Sequence, residues 1–308
     1  MSLAFAFVLD PFDALEFVGD TSFCLMAECQ RRGHAVFAIE AADLAVDEAT
    51  PTGRASPVEM DPARGWVPKG PATVTPLGDF DCVFMRKEPP FDMSYIYATY
   101  VLEFAPAGTF VINDPRGLRN ANEKLYSLHF PALIPESLVA RTKAELTAFM
   151  ERVGGSMVIK PLGSYGGQEV FVCRTGDTNL GVILDSVTDK GRNLILAQRY
   201  LPEVATEGDK RILVLDGEPI GAFLRRPSPG DHRANISAGG SPVRQRAYRS
   251  RGQALETAGA GDRRLQRQLR RVAGGDLPGR RQHPGLVVDQ CQRAVGHPVD
   301  SIGLGGQR

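Results

Sequence analysis

Cysteine is scarce and follows no pattern. Cys24, Cys29, Cys82, Cys173 and Cys291 are scattered along 308 residues, odd in number and without a CxxC pair. That spacing argues against a disulfide framework or a zinc site and for a reducing compartment. Long apolar runs are missing too. No window approaches the ~18 apolar residues of a membrane span. The first apolar run, Leu3 to Leu9, has no Lys or Arg before it and ends at Asp10-Pro11. It therefore lacks the charged start of a signal peptide and reads as a buried strand. A cytoplasmic chain with no membrane partner is expected. Its length suffices for two or three packed units without covalent staples.

Other scarcities are local. From Val243 onward there is no Lys, Phe or Trp, and Glu256 is the one glutamate; all 15 phenylalanines lie earlier. This last stretch holds 13 Arg, eight Gln and 11 Gly against five acids, whereas residues up to Pro242 hold 23 Lys+Arg against 31 Asp+Glu. The zero net charge averages two unlike parts. Few large side chains remain in 243–308 to offset ordering entropy, so a disordered Arg/Gly/Gln-rich tail is expected there. Two origins compete. A basic tail could bind nucleic acid or another acidic surface. A change of reading frame in a GC-rich gene would also yield Arg, Gly, Gln, Ala and Pro without Lys. The abrupt switch, at no domain boundary, favours the frame change.

What is present reads as alternating strands and helices. Ala4–Asp10, Ala35–Ile39, Asp81–Lys87 and Thr109–Asn113 are strand candidates. Ser22–Arg32, stopped by Gly33, and Tyr95–Phe104 are helix candidates. Thr50–Gly78 is rich in Pro and Gly and reads as a long irregular connection. The alternation predicts an α/β domain over residues 1–120 with a parallel sheet covered on both faces. Functional groups of such sheets gather at strand C-terminal ends, where Asp10, Arg86 and Asn113 lie.

A second unit is expected over 121–242. Thr142–Arg152 is a helix with Thr142 and Glu145 at capping-box spacing. Met157–Pro161 is a strand leading into Gly163-Ser-Tyr-Gly-Gly167, with Val170–Cys173 beyond it. Leu194–Leu201 and Arg211–Leu215 are further strands, the latter entering the hairpin signal Asp216-Gly-Glu-Pro219.

Chemistry concentrates in this unit. Lys160 precedes the glycine-rich loop, and phosphates need close backbone N–H groups and a point cation. The lysine precedes the glycines, so this is not the GxxxxGK[ST] loop; alone, the same residues also fit an ordinary hairpin. Lys124 reads either as a second phosphate cation or as a solvated helix start. Gln198-Arg-Tyr-Leu-Pro202 ends a strand whose edge could seat a purine or be plain surface. Arg225, Arg226, Arg233 and Asn235 precede Ala238-Gly-Gly240, suiting phosphate or carboxylate recognition or a solvated basic loop.

Taken in order, these pieces resemble the ATP-grasp superfamily. Several runs resemble bacterial glutathione synthetase in particular: Asp10-Pro11, Met85-Arg-Lys-Glu-Pro-Pro-Phe-Asp92, Tyr95-Ile-Tyr-Ala-Thr-Tyr100 and Asn120-Ala-Asn-Glu-Lys124. The others are Ala197-Gln-Arg-Tyr-Leu-Pro202, Gly208-Asp-Lys-Arg211, Asp216-Gly-Glu-Pro219 and Asn235-Ile-Ser-Ala-Gly-Gly240. The resemblance spans about residues 4–242. It implies an N-terminal parallel-sheet domain followed by an ATP-grasp fold whose C-terminal part is truncated or disordered. It implies ligation of γ-glutamylcysteine and glycine, with ATP and Mg²⁺ (or Mn²⁺), through an acyl phosphate.

By resemblance, Lys124 and Lys160 hold ATP phosphates, and Gly166 and Gly167 close over them as a lid. Gln198, Tyr200 and Leu201 flank the adenine. Asp209, Lys210 and Arg211 lie at the ribose–phosphate edge. Asp10 and Arg86 face the peptide substrate, while Arg211, Arg225 and Arg233 serve catalysis. A homo-oligomer without nucleic acid or membrane is implied. The family's late metal ligands, on a Glu-x-Asn strand, have no counterpart after Gly240, so no metal ligand is identifiable. Another carboxylate–amine ligase, or a nucleotide-binding protein without turnover, are the alternatives.

Overall fold

The computed structural model describes residues 1–15, 20–61, 63, 65–215, 218–228, 233–235 and 239–244. These divide into two compact units. One holds residues 1–88 and 100–112, and the other holds 89–99 and the described residues from 113 onward.

The first unit is built on β1 (Ala4–Leu9), β2 (Ala35–Asp47), β3 (Thr50–Asp61), β4 (Gly65–Pro68), β5 (Thr73–Pro76), β6 (Cys82–Met85) and β7 (Phe110–Ile112). They form a seven-stranded sheet in the order β4-β3-β2-β1-β6-β7, with β5 also on β3. The pairs β1/β2, β1/β6 and β6/β7 are parallel, as the alternation requires. Ala6, Phe7 and Val8 are fully buried, which is why β1 is a continuous apolar run rather than an alternating one. Helix α1 (Thr21–Arg31) begins at Asp20, whose carboxylate accepts from Ser22 N at 2.6 Å. Gly33, at φ +82°, ends it as the sequence predicts.

The expected irregular connection over 50–78 is corrected. The stretch forms β3, antiparallel to β2, and β4 and β5, each antiparallel to β3, extending the parallel sheet into a mixed one. The inward residues of β3 are Pro51, Gly53, Ala55 and Val58. Small inward residues hide the alternation that would reveal a strand. A side chain at Gly53 would meet Ile39 at 2.9 Å, so smallness is imposed by close packing. Pro57 donates nothing to the ladder, but its carbonyl accepts from Lys69 N at 2.8 Å.

The second unit contains α3 (Pro115–Asn120), β8 (Ser137–Ala140), α4 (Lys143–Arg152), β9 (Ser156–Pro161), β10 (Phe171–Arg174), α5 (Leu180–Val187) and β11 (Ile195–Arg199). These are followed by α6 (Glu203–Glu207), β12 (Asp209–Leu215), β13 (Glu218–Arg226) and β14 (Ser241–Arg244). Helix α2 (Met93–Glu103) lies at the position read from sequence. Thr142 accepts from Glu145 N at 3.3 Å and donates to the Glu145 carboxylate at 2.5 Å, satisfying the start of α4.

Strands β10-β9-β11-β8 form an antiparallel sheet, and β12-β13-β14 form another. On the first sheet Met157, Ile159, Ile195 and Ala197 pack with Leu146, Phe149 and Leu184 of α4 and α5. By alternation, Val158, Lys160, Leu196, Gln198 and Ser137 share the opposite face. Asp216 and Gly217 of the predicted hairpin lie outside the described residues, but Leu215 and Glu218 pair on either side of them. Val243 and Arg244, the first residues assigned to the tail, pair in β14 with Leu224 and Phe223. The remaining tail, 245–308, lies outside the described residues.

Candidate functional site

Lys160 sits near the end of β9 on the polar sheet face, one residue before Pro161 and three before Gly163. Its ammonium donates to Gln198 Oε1 at 2.8 Å. Burial, with the charge of Lys124 added, holds its pKa below the usual lysine value, while Glu123 opposes that shift. The two lysines, 36 residues apart in sequence, therefore face one region of space. Lys124 donates to Ser164 O, inside the glycine loop, and to Glu123 at 3.0 Å. Asn122 braces the same segment. It donates to Leu162 O at 3.1 Å and accepts from Lys124 N and Leu125 N.

The loop itself requires glycine. Gly166 and Gly167 have φ of +64° and +81°. A Cβ on Gly167 would lie 2.9 Å from Asn235 Oδ1, and one on Gly163 would lie 3.3 Å from Phe91 O. Arg233 Nη1 reaches Gly167 O at 3.5 Å. The basic stretch and the glycine loop, distant in sequence, thus meet at Gly167. Asp209 and Arg225 face one another across β12 and β13 in a bidentate pair, both contacts 2.6 Å, with Arg225 8% exposed. Lys210 and Arg211 follow on β12, paired with Leu224 and Phe223. Tyr200 lies under the Arg174 guanidinium, 5.5 Å from its ring centroid, and Leu201 accepts from Val204 N.

In the first unit, Asp10 and Arg86 follow the parallel strands β1 and β6. Arg86 N bonds Val8 O at 2.8 Å, and its Nε donates to Ser22 Oγ at 3.0 Å. Asp10 accepts from Lys87 Nζ at 3.2 Å and from Glu88 N at 2.7 Å, stitching the two strand ends together. Ser22, Asn122, Ser137 and Ser164 were not singled out from sequence. Each acts through a local hydrogen bond to a distant segment, which leaves no sequence signal.

Burial pushes the Cys82 thiol up to about 12 and the Cys173 thiol to about 11, so neither is a thiolate nucleophile at neutral pH. Among the described residues no three His, Cys, Asp or Glu side chains converge as metal ligands. The described residues therefore supply no ready-made cluster of such side chains for Mg²⁺ or Mn²⁺. No helix among them is long and apolar enough to cross a membrane.

Two antiparallel sheets, with Lys160 on the strand before the glycine loop and Lys124 bonded to the loop, belong to an ATP-grasp domain. The fold is similar to that of D-cycloserine synthetase DcsG (TM-score 0.51, 17% identity, 72% of this chain and 68% of that one). Residues 3–119 match the family model for the prokaryotic glutathione synthetase N-terminal domain, and residues 123–261 match that for its ATP-grasp domain. The second match continues past Gly240, the last residue of the motifs read from sequence. The glutathione synthetase of Shewanella oneidensis is 42% identical over 77% of this chain and 76% of its own length. That of Salmonella typhimurium is 44% identical over 76% and 74%. The chain belongs to the prokaryotic glutathione synthetase family.

Proposed function

We propose that this chain joins the cysteinyl carboxylate of γ-glutamylcysteine to the amine of glycine, coupled to cleavage of ATP to ADP and phosphate. The carboxylate oxygen attacks the γ-phosphorus and ADP leaves. The glycine amine then attacks the acyl phosphate carbon and phosphate departs, leaving the new amide. Phosphoryl transfer needs positioning and charge neutralisation more than covalent help. The observation that carries the reading is the convergence of Lys124 and Lys160 at the glycine loop, in a member of this family.

In this proposal Lys124 and Lys160 bind the phosphates while Gly166 and Gly167 cover them. Tyr200 and Leu201 flank the adenine, as does the β11 segment at Gln198. Asp209, Lys210 and Arg211 border the ribose and phosphates. Arg225 takes part as the partner of Asp209, and Arg233 neutralises charge from its position against Gly167. Arg211 serves both the nucleotide edge and the reacting phosphoryl group. Arg86, its Nε bonded to Ser22, receives the peptide substrate, and Asp10 ties the segments after β1 and β6 together. Mg²⁺ or Mn²⁺ accompanies ATP, the chain works in the cytoplasm, and it assembles as a homo-oligomer without nucleic acid.

The test is ADP release by the purified 308-residue chain with ATP and Mg²⁺, supplying γ-glutamylcysteine and glycine together or singly. Glutathione formation that requires both substrates, weak in this 308-residue chain, is the expected result. ADP release with a different dipeptide or amine would indicate another carboxylate–amine ligase. ATP binding without release would indicate a nucleotide-binding protein that does not turn over.

A further inference from the structure

Three strands each place one polar residue on the same sheet face. Ser137 on β8 is the direct cross-strand partner of Gln198 on β11, and Lys160 on β9 is diagonal to Gln198. The contacts run in one direction. Lys160 Nζ donates to Gln198 Oε1 at 2.8 Å, Gln198 Nε2 donates to Ser137 Oγ at 2.9 Å, and Ser137 Oγ donates to Pro135 O at 2.8 Å. An ammonium can only donate, so the amide must turn its oxygen to Lys160 and its nitrogen to Ser137. Ser137 Oγ must then accept from the amide, leaving its own proton for a carbonyl. Gln198 is 8% exposed, so each polar end of its amide needs a partner. No other orientation satisfies the file.

We propose that Gln198 and Ser137 are positioning residues for Lys160, a polar file across three strands that fixes where the ammonium meets a nucleotide phosphate. The proposal rests on the reading of Lys160 as a phosphate-binding cation. It gives the Gln198 side chain a task other than touching adenine, and it gives Ser137 a task the sequence does not suggest. A lysine on a four-carbon stem is otherwise free to wander. Anchoring it to an amide that is itself anchored removes that freedom before ATP arrives.

The test measures ATP affinity by calorimetry in the full chain for Ser137→Ala, Ser137→Thr, Gln198→Glu and Lys160→Ala, with thermal midpoints taken without nucleotide. Ser137→Ala is expected to weaken ATP binding about five- to tenfold. Ser137→Thr keeps the hydroxyl and is expected to stay within about twofold of the parent. Gln198→Glu sets a carboxylate against the ammonium and should move the alkaline limb of ATP binding to higher pH. Glu123 and Lys124, the other charges facing Lys160, are unchanged in all these chains, so movement of the limb belongs to the file. This readout also stands if Ser137→Ala fails to fold.

An unmoved limb in Gln198→Glu would overturn the proposal. So would Ser137→Ala matching the parent, or Ser137→Thr being as weak as Ser137→Ala. Lys160→Ala separates the two levels. If it abolishes ATP binding while the Ser137 and Gln198 variants behave as the parent, only the positioning role falls. If it binds ATP normally, the phosphate role of Lys160 falls and the positioning role with it.

Discussion

Lys160 illustrates what one residue in a sequence can and cannot announce. Its place between an apolar strand and a glycine loop is visible, whereas its partners are not. Lys160→Ala is expected to cost at least tenfold in ATP affinity, about 1.4 kcal/mol or more; a loss under about threefold would remove it from the phosphate site. Burial also gives it a signature in stability. Its folded pKa lies below the unperturbed 10.5, so the unfolded chain binds the proton more tightly. Stability contributed at this residue should therefore rise as pH climbs through the lowered folded value toward 10.5. Chemical denaturation across that window should show a rise that is flattened in Lys160→Met. Arg86 is a separate case. Arg86→Lys keeps the charge but loses the fork and the Nε bond to Ser22, so KM for γ-glutamylcysteine should rise about tenfold with ATP affinity nearly unchanged. Equal loss of both ligands would assign Arg86 to folding instead.

Elements differed in how plainly they could be read. β1, α1 and α4 carry strong signals: a continuous apolar run, a glycine stop and a capping pair. β3 carries none, because its inward residues are small and its prolines look like loop punctuation, yet it lies between β2 and β4/β5. The glycine loop was legible as a loop, but its ties to Lys124, Phe91, Arg233 and Asn235 were not. The lid role gives two expectations. Proteolysis near Tyr165 should be suppressed by Mg-ATP. Gly167→Ala should lower stability by about 1–2 kcal/mol, since alanine at φ +81° is strained and its Cβ would press on Asn235. A denaturation midpoint equal to the parent's would show that the loop tolerates a side chain.

For the whole molecule, the change of composition near residue 243 is the feature with the widest consequence. The bidentate Asp209–Arg225 pair and the β13/β14 register continue the fold to Arg244. The sequence beyond is rich in Arg, Gly and Gln and has no Lys or Phe, and we propose that it arises from a change of reading frame. Rereading the gene across this point is expected to yield a frame encoding a Glu-x-Asn strand, and the product of that frame should be the more soluble chain with the stronger Mg-dependent activity. Strong Mg-dependent glutathione formation by the 308-residue chain, with its mass confirmed, would sink the frame change. So would a reread in which both other frames lack such a strand.

The sequence by itself determined the alternation of strands and helices, the glycine loop, and the order of lysines and motifs that marks the family. Those properties are local: apolar periodicity, capping residues and short runs survive in one dimension. The tertiary structure alone decided that β3 is a strand, that Asp209 binds Arg225, and that Lys160 bonds Gln198, which in turn bonds Ser137 on a third strand. Each of these depends on which residues are brought side by side across a sheet. Strand register sets that, and register comes from the packing of whole faces rather than from any neighbouring residue.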